Sequence, residues 1–108
     1  MVWCKRENAL DLTDATKEEQ EELFVILKVL KKALKDCFNP DWFNYAFLGN
    51  DTRHLHGHFI PRYAKPKEFM GIIFEDKFYG HNYKTDYNFL TSEELSREVK
   101  FRIKEALG

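Results

Sequence analysis

Three of the four histidines in this chain of 108 residues fall within five positions, at residues 54, 56 and 58. They alternate with two apolar residues and a glycine, and this two-residue period is typical of a half-buried β-strand. Successive side chains of a strand point to opposite faces, so His54, His56 and His58 are predicted to share one face at intervals of about 6.6 Å. Imidazole titrates near neutral pH, which allows grouped rings to act as nucleophile, acid or electrostatic clamp. The spacing therefore indicates a site of chemistry.

Two other interpretations of the histidines stay open on the residues alone. A His-x-His pair on a strand can offer two nitrogens to one metal ion, although the nearby carboxylates of Asp51 and Glu68 have no clear ligand spacing. A purely structural set would require a hydrogen-bond partner for every buried imidazole. Catalysis is the favoured interpretation, metal binding comes second, and a structural role comes third.

A β-hairpin is predicted to position the histidines, because residues 42–48 show the same two-residue alternation as residues 54–60. If the connection 49–53 pairs Leu48 with His54, then Asn44 lies opposite His58 and Tyr45 lies opposite Gly57. The Tyr45 ring would then cover the missing side chain of the glycine. A slip of one residue would bury Asn44 and place aromatic rings among the histidines. We therefore predict that Asn44 joins the histidine face.

Two helices and a short first strand complete the predicted fold. Residues 2–5 read as a strand, and Thr16-x-x-Glu19 is a capping box that begins a helix running to about Cys37. A second capping box, Thr91-x-x-Glu94, precedes a closing helix. Both helices place apolar residues at intervals of three and four, and these are Leu23, Ile26, Leu27, Leu30, Leu34 and Cys37 in the first and Leu95, Val99, Ile103 and Ala106 in the second. The apolar run 69–74 is predicted to be a buried strand or a packed loop, and residues 75–90 have no clear period.

Length and composition restrict the class of protein. The length fits one domain, residues 1–108, and 17 basic against 18 acidic residues argue against a polybasic nucleic-acid arm. No apolar run is long enough to cross a bilayer, and the charged first residues do not resemble a secretory signal. Cys4 and Cys37 are too few and too far apart for a disulfide framework or a Cys-x-x-Cys site. We expect a cytoplasmic protein that does not bind membranes or nucleic acid.

The segment His-Leu-His-Gly-His-Phe-Ile-Pro-Arg, residues 54–62, resembles the signature of the histidine triad family of nucleotide hydrolases and transferases. Weaker matches flank it at residues 43–50 and 2–13, so that the resemblance covers most of residues 2–80. It implies an α+β fold in which a small antiparallel sheet carries the long helix on one face and the triad on the other. Family members are commonly dimers, and an exposed sheet edge also favours a partner, so we expect a homodimer.

The resemblance also implies a role for each site residue. His56 would attack the α-phosphorus of a nucleotide and form a nucleotidyl-histidine intermediate that water resolves, without a metal or other cofactor. His54 would orient and polarise the site, and His58 would stabilise the phosphoryl oxygens or assist the leaving group. Asn44 and Asn50 match positions that contact phosphate or ribose in the family.

The third histidine and the start of the chain bear on the choice of function. Uridylyltransferase relatives carry Gln where this chain has His58, so a hydrolase of dinucleoside polyphosphates or nucleoside phosphoramidates is favoured. Strands that precede the first strand in the family, and that supply much of its nucleoside pocket, have no counterpart ahead of residue 2. The alternative is therefore a nucleotide-binding module without turnover. Residues 69–90 and the closing helix are candidates for a replacement wall, although His81, within the aromatic run 78–83, is more simply a surface histidine.

Overall fold

A computed structural model describes residues 1–108 and has the predicted α+β fold. A three-stranded antiparallel sheet has the order β1-β3-β2, and two further strands, β4 and β5, form a separate hairpin. A 3-10 turn at Leu12–Asp14 precedes the first helix. The other elements in chain order are β1 Val2–Trp3, α1 Lys17–Phe38, β2 Trp42–Ala46, β3 His56–Arg62, β4 Lys67–Phe69, β5 Ile72–Phe74 and α2 Glu93–Leu107.

Helix α1 begins and ends where the sequence predicts. The Thr16 hydroxyl accepts a hydrogen bond from the Glu19 amide, and the Glu19 carboxylate accepts one from the Thr16 amide, so the capping box is complete. The helix ends at Asn39, which adopts the left-handed conformation with φ of 43°. Pro40 follows and cannot continue the helical hydrogen bonding.

One face of the sheet packs against α1, and the histidines occupy the other. Leu23 and Ile26 of the helix face Phe47 and Gly57 across a cavity of about 320 Å³. Farther along the helix, the Lys31 ammonium lies 5.7 Å from the centre of the Phe43 ring. The predicted separation into an apolar helix-facing side and a histidine side is therefore confirmed.

The predicted pairing of β2 with β3 is wrong by two residues. Asn44 lies opposite Ile60, Tyr45 opposite Phe59, and Ala46 opposite His58. The strand also begins at His56 rather than His54, because the connection between the strands spans residues 47–55 instead of 49–53. A shift of two preserves the face on which each side chain lies, so Asn44 still shares the face of the histidines.

Phe47, rather than Tyr45, fills the space above Gly57. A Cβ atom at Gly57 would lie 2.5 Å from the Phe47 ring. The ring also packs against the small core of Ala9, Ala15 and Leu55. The glycine thus allows an aromatic ring to approach the backbone of the histidine strand on its apolar side, and this contact explains the observed register.

The C-terminal half departs from the sequence predictions in two details. The run 69–74 is divided by a tight turn at Met70 and Gly71, whose φ angles of 53° and 74° are both positive, as a two-residue hairpin requires. Helix α2 begins one residue late, since the hydroxyl of Ser92, not Thr91, accepts from the Leu95 amide. The helix packs on α1, where the Cys37 thiol donates to the Arg102 carbonyl at 3.2 Å.

Neither α1 nor α2 combines the length and the apolar character that a membrane-spanning helix needs.

Replacement of Gly57 by alanine should lower the free energy of unfolding by about 1–3 kcal/mol, because the new methyl group must displace the Phe47 ring. Chemical denaturation of the purified variant measures this loss. In a Phe47→Leu background the same alanine substitution should cost less, since the smaller side chain leaves room. An equal cost in both backgrounds would contradict the packing explanation.

Candidate active site

His56 is held by the backbone of the residue two positions before it. Its Nδ1 atom lies 2.6 Å from the His54 carbonyl oxygen, and a carbonyl can only accept, so Nδ1 is the protonated nitrogen that donates. In the neutral ring the lone pair is then on Nε2. His56 therefore presents a free, nucleophilic ring nitrogen from a fixed imidazole.

His54 lies just outside the ladder of β3, yet its ring reaches the same face. Its Nε2 atom donates to the Cys4 carbonyl at 2.6 Å. The indole ring of Trp3 stacks on the His54 ring, with centroids 4.2 Å apart and an interplanar angle of 17°. Trp3 is the direct cross-strand neighbour of His56, and its ring also stacks on that imidazole at 5.4 Å. The sequence predictions did not include Trp3 in the site.

His58 extends the row of rings in the other direction. Its imidazole meets the His56 ring edge-on at 5.2 Å between centroids, and the residue is exposed. The structure thus brings all three predicted histidines together on the helix-free face of the sheet. Each ring has a different environment, since His54 and His56 hydrogen-bond to the backbone while His58 faces solvent.

A carboxylate of α1 anchors Cys4, the residue whose carbonyl accepts the hydrogen bond from His54. Glu19 accepts a hydrogen bond from the Cys4 thiol at 2.9 Å and pairs with Arg6 at 3.0 Å. The thiol, the Thr16 amide and the Arg6 guanidinium together hold the pKa of Glu19 at about 2, and the bond to Glu19 raises the pKa of Cys4. The backbone carbonyl that holds His54 therefore belongs to a residue whose side chain is anchored to the helix.

Arg62 is a buried charge at the far end of the histidine strand, with 3% of its surface exposed. Its guanidinium donates five hydrogen bonds, which uses every N–H that the group has. Two of them form a bidentate pair with the Asp76 carboxylate at 2.6 and 3.1 Å, and this pair lowers the pKa of Asp76 and raises that of Arg62. The other acceptors are the side-chain oxygen of Asn44 at 2.6 Å and the carbonyls of Phe78 at 2.7 Å and His81 at 2.8 Å.

The remaining predicted site residues have different positions. Asn44 lies on the histidine face, but its oxygen binds Arg62 instead of pointing to His58. Asn50 is exposed in the connection 47–55, outside the hydrogen-bonded set around the triad. His81 is exposed, and its carbonyl rather than its ring contacts Arg62. The signal for Arg62 was present in the alternation, because residues 56, 58, 60 and 62 share a face.

No group of three or more His, Cys, Asp or Glu side chains is arranged so that it could hold a metal ion.

Comparison with known proteins gives a consistent set of similarities. Residues 2–65 match a family model described as the HIT domain. Among solved structures, the chain is similar to a histidine triad protein from Bradyrhizobium japonicum, with 20% identity and a TM-score of 0.69 over 98% of this chain and 72% of that one. It is also similar to histidine triad proteins from Sinorhizobium meliloti 1021 (22%, TM-score 0.67, 94% and 69% covered) and Marinobacter aquaeolei VT8 (24%, TM-score 0.68, 97% and 70% covered). At these identities the solved structures show the shared fold. No curated protein matches the sequence.

Replacement of Asp76 by asparagine should lower the free energy of unfolding by about 3 kcal/mol at pH 7, because it leaves the Arg62 charge buried without its counter-ion. The folded-state pKa of Asp76 lies below its ordinary value of 3.8. The stabilisation is therefore complete above that value and is lost as the pH falls through the folded-state pKa. The difference in unfolding free energy between the two proteins should accordingly begin to shrink below about pH 4 and disappear once the pH is below the folded-state pKa. Glu75→Gln, an exposed neighbour, is the matched control and should change the free energy of unfolding little at any pH. A difference in unfolding free energy between wild type and Asp76→Asn that stays constant down to pH 2 would contradict the ion-pair explanation.

Proposed function

The chain belongs to the histidine triad family, and we propose that it is a nucleotide hydrolase that forms a covalent nucleotidyl intermediate on His56. Membership of this family supports a nucleotide-binding, hydrolase or transferase type of function. Within that range, the proposed substrates are dinucleoside polyphosphates or nucleoside phosphoramidates, cleaved at the α-phosphate.

The observation that carries the proposal is the hydrogen bond from Nδ1 of His56 to the His54 carbonyl. It leaves the Nε2 lone pair free and holds the ring, so that little orientational freedom is lost when the nitrogen attacks. In the first step, a bond forms from Nε2 to the α-phosphorus and the bond to the leaving group breaks, with the electron pair departing on the leaving oxygen or nitrogen. In the second step, water attacks the same phosphorus, the N–P bond breaks, and nucleoside monophosphate is released while Nε2 regains its lone pair.

The neighbouring residues have complementary roles in this proposal. His54 acts through its carbonyl, and its ring is in turn fixed by Cys4 and stacked on Trp3. His58, next in the row and exposed to solvent, donates to a phosphoryl oxygen or protonates the leaving group. Asn44 and Asn50 remain proposed substrate contacts, and the former already has its oxygen oriented by Arg62.

A homodimer is the proposed assembly. Three apolar side chains of α1, Phe24, Val25 and Val29, are exposed by 63%, 61% and 48%. Strand β2 has β3 as its one strand neighbour, which leaves its other edge available for pairing.

Sedimentation of the wild type should give about twice the monomer mass. The Val25→Glu variant should sediment as a monomer, because it places a charge in the apolar patch of α1. A folded wild-type monomer at high micromolar concentration would contradict the assembly.

Replacement of His56 by alanine should reduce AMP release from adenosine 5′-phosphoramidate or diadenosine tetraphosphate by roughly a thousandfold or more, because the attacking nitrogen is removed. Lys104→Ala, on the exposed end of α2, is the matched control and should retain full activity. Equal turnover by wild type and His56→Ala would refute the assignment. Calorimetric binding of nucleotide by the wild type without product would instead identify a binding module.

A further inference from the structure

The indole of Trp3 lies on the triad face of the sheet, beside the two histidines that hydrogen-bond to the backbone. Trp3 pairs across the sheet with His56. Its ring stacks on the imidazoles of His54 and His56, with centroids 4.2 and 5.4 Å apart and interplanar angles of 17° and 28°. The residue is 50% exposed and lies outside the small apolar core. Its aromatic contacts are therefore with the histidines rather than with that core.

The His56 ring gains a positive charge in the proposed reaction. Its Nδ1 atom keeps the proton that it donates to the His54 carbonyl. When Nε2 shares its lone pair with phosphorus, both ring nitrogens carry a substituent and the imidazole becomes a cation. In the second step the N–P bond breaks, its electron pair returns to Nε2, and the attacking water loses a proton to solvent. The ring is thus neutral before and after the cycle and cationic in the intermediate.

No carboxylate balances this charge. None of the ion pairs in the chain includes a triad histidine, and the acceptor at Nδ1 of His56 is a neutral carbonyl. The ring of His58 meets the His56 ring edge-on and brings no negative charge. The face of an indole, by contrast, attracts a cation that lies within about 6 Å of its centre, and it does so more strongly than Phe or Tyr. The ring of Trp3 meets that condition.

We propose that Trp3 is a positioning residue whose π-face stabilises the cationic, nucleotidylated form of His56. This inference rests on the proposed function. The indole is held by its stack on His54, whose ring donates to the Cys4 carbonyl, so the π-face is in place before the charge develops. The intermediate carries the full charge and each transition state only part of it. The indole should therefore speed formation of the adduct and slow its hydrolysis.

Fluorinated tryptophan tests this role without a large change in the shape of the side chain. In a Trp42→Phe background Trp3 is the only tryptophan, and incorporation of tetrafluorotryptophan withdraws electron density from its π-face. Rapid quenching with diadenosine tetraphosphate, followed by mass spectrometry of the His56 adduct, should show slower formation and faster hydrolysis. The ratio of adenylylated to free protein at steady state should fall roughly two- to fivefold relative to the same background with ordinary tryptophan. A single fluorine, in 5-fluorotryptophan, should give a smaller change.

Substitutions at the same position provide a second measurement. Trp3→Phe keeps a weaker π-face and should lower the ratio of adenylylated to free protein by less than Trp3→Leu, which has none. Tyr87→Leu is the matched control, because this aromatic side chain is 88% exposed and takes no part in the stacking around the triad. A loss of packing alone would slow both half-reactions, whereas loss of the π-face should change them in opposite directions.

The role of Trp3 and the proposed hydrolysis fail in different ways. Half-reactions that are unchanged by fluorination, or that are both slowed by it, would overturn the role of Trp3 and leave the hydrolase in place. A wild type that forms no adduct on His56 would refute the covalent mechanism and the role of Trp3 with it.

Discussion

The alternation of side chains along β3 is the constraint on which the rest of the structure depends. One seven-residue strand must pack an apolar face under α1 and present imidazoles on the other face, and the period of two makes both possible at once. Gly57 lies on the apolar face between two histidines, and its missing side chain is what lets the Phe47 ring lie against the strand. The register that follows places Ala46 beside His58, and this small residue leaves space next to the triad.

A buried charge then connects this strand to the C-terminal half of the chain. Arg62 lies on the same face as the histidines, and removal of a guanidinium from water is costly unless every donor finds an acceptor. Asp76, Asn44 and two backbone carbonyls meet that requirement. The segment 76–83 has no helix or strand of its own, and it is held to the histidine strand by the Arg62 side chain and by the Tyr63 amide, which donates to Asp76. The histidine strand and the segment 76–83 are therefore parts of the same hydrogen-bonded unit.

Local signals in the sequence were sufficient for the two helices and for the faces of β2 and β3, but they did not predict the hairpin of β4 and β5. The Thr16 capping box set the start of α1, and the alternation placed Asn44 correctly on the histidine face. The register was wrong because it depended on the length of the connection 47–55, for which neither turn residues nor periodicity gives a rule. The stacking of Trp3 on His54 and the ion pair of Arg62 with Asp76 are contacts between residues that belong to different segments of the chain. Such contacts follow from tertiary packing, and no local pattern encodes them.

The proposed covalent intermediate is tested most directly by trapping it. Wild-type protein mixed with diadenosine tetraphosphate, quenched in alkali within milliseconds to seconds and digested, is analysed by mass spectrometry for an adenylyl group on a histidine. The geometry of His56, with Nδ1 donating to the His54 carbonyl, predicts a single adduct on the His56 imidazole. An adduct on another residue, or full turnover with no adduct at any quench time, would contradict the account.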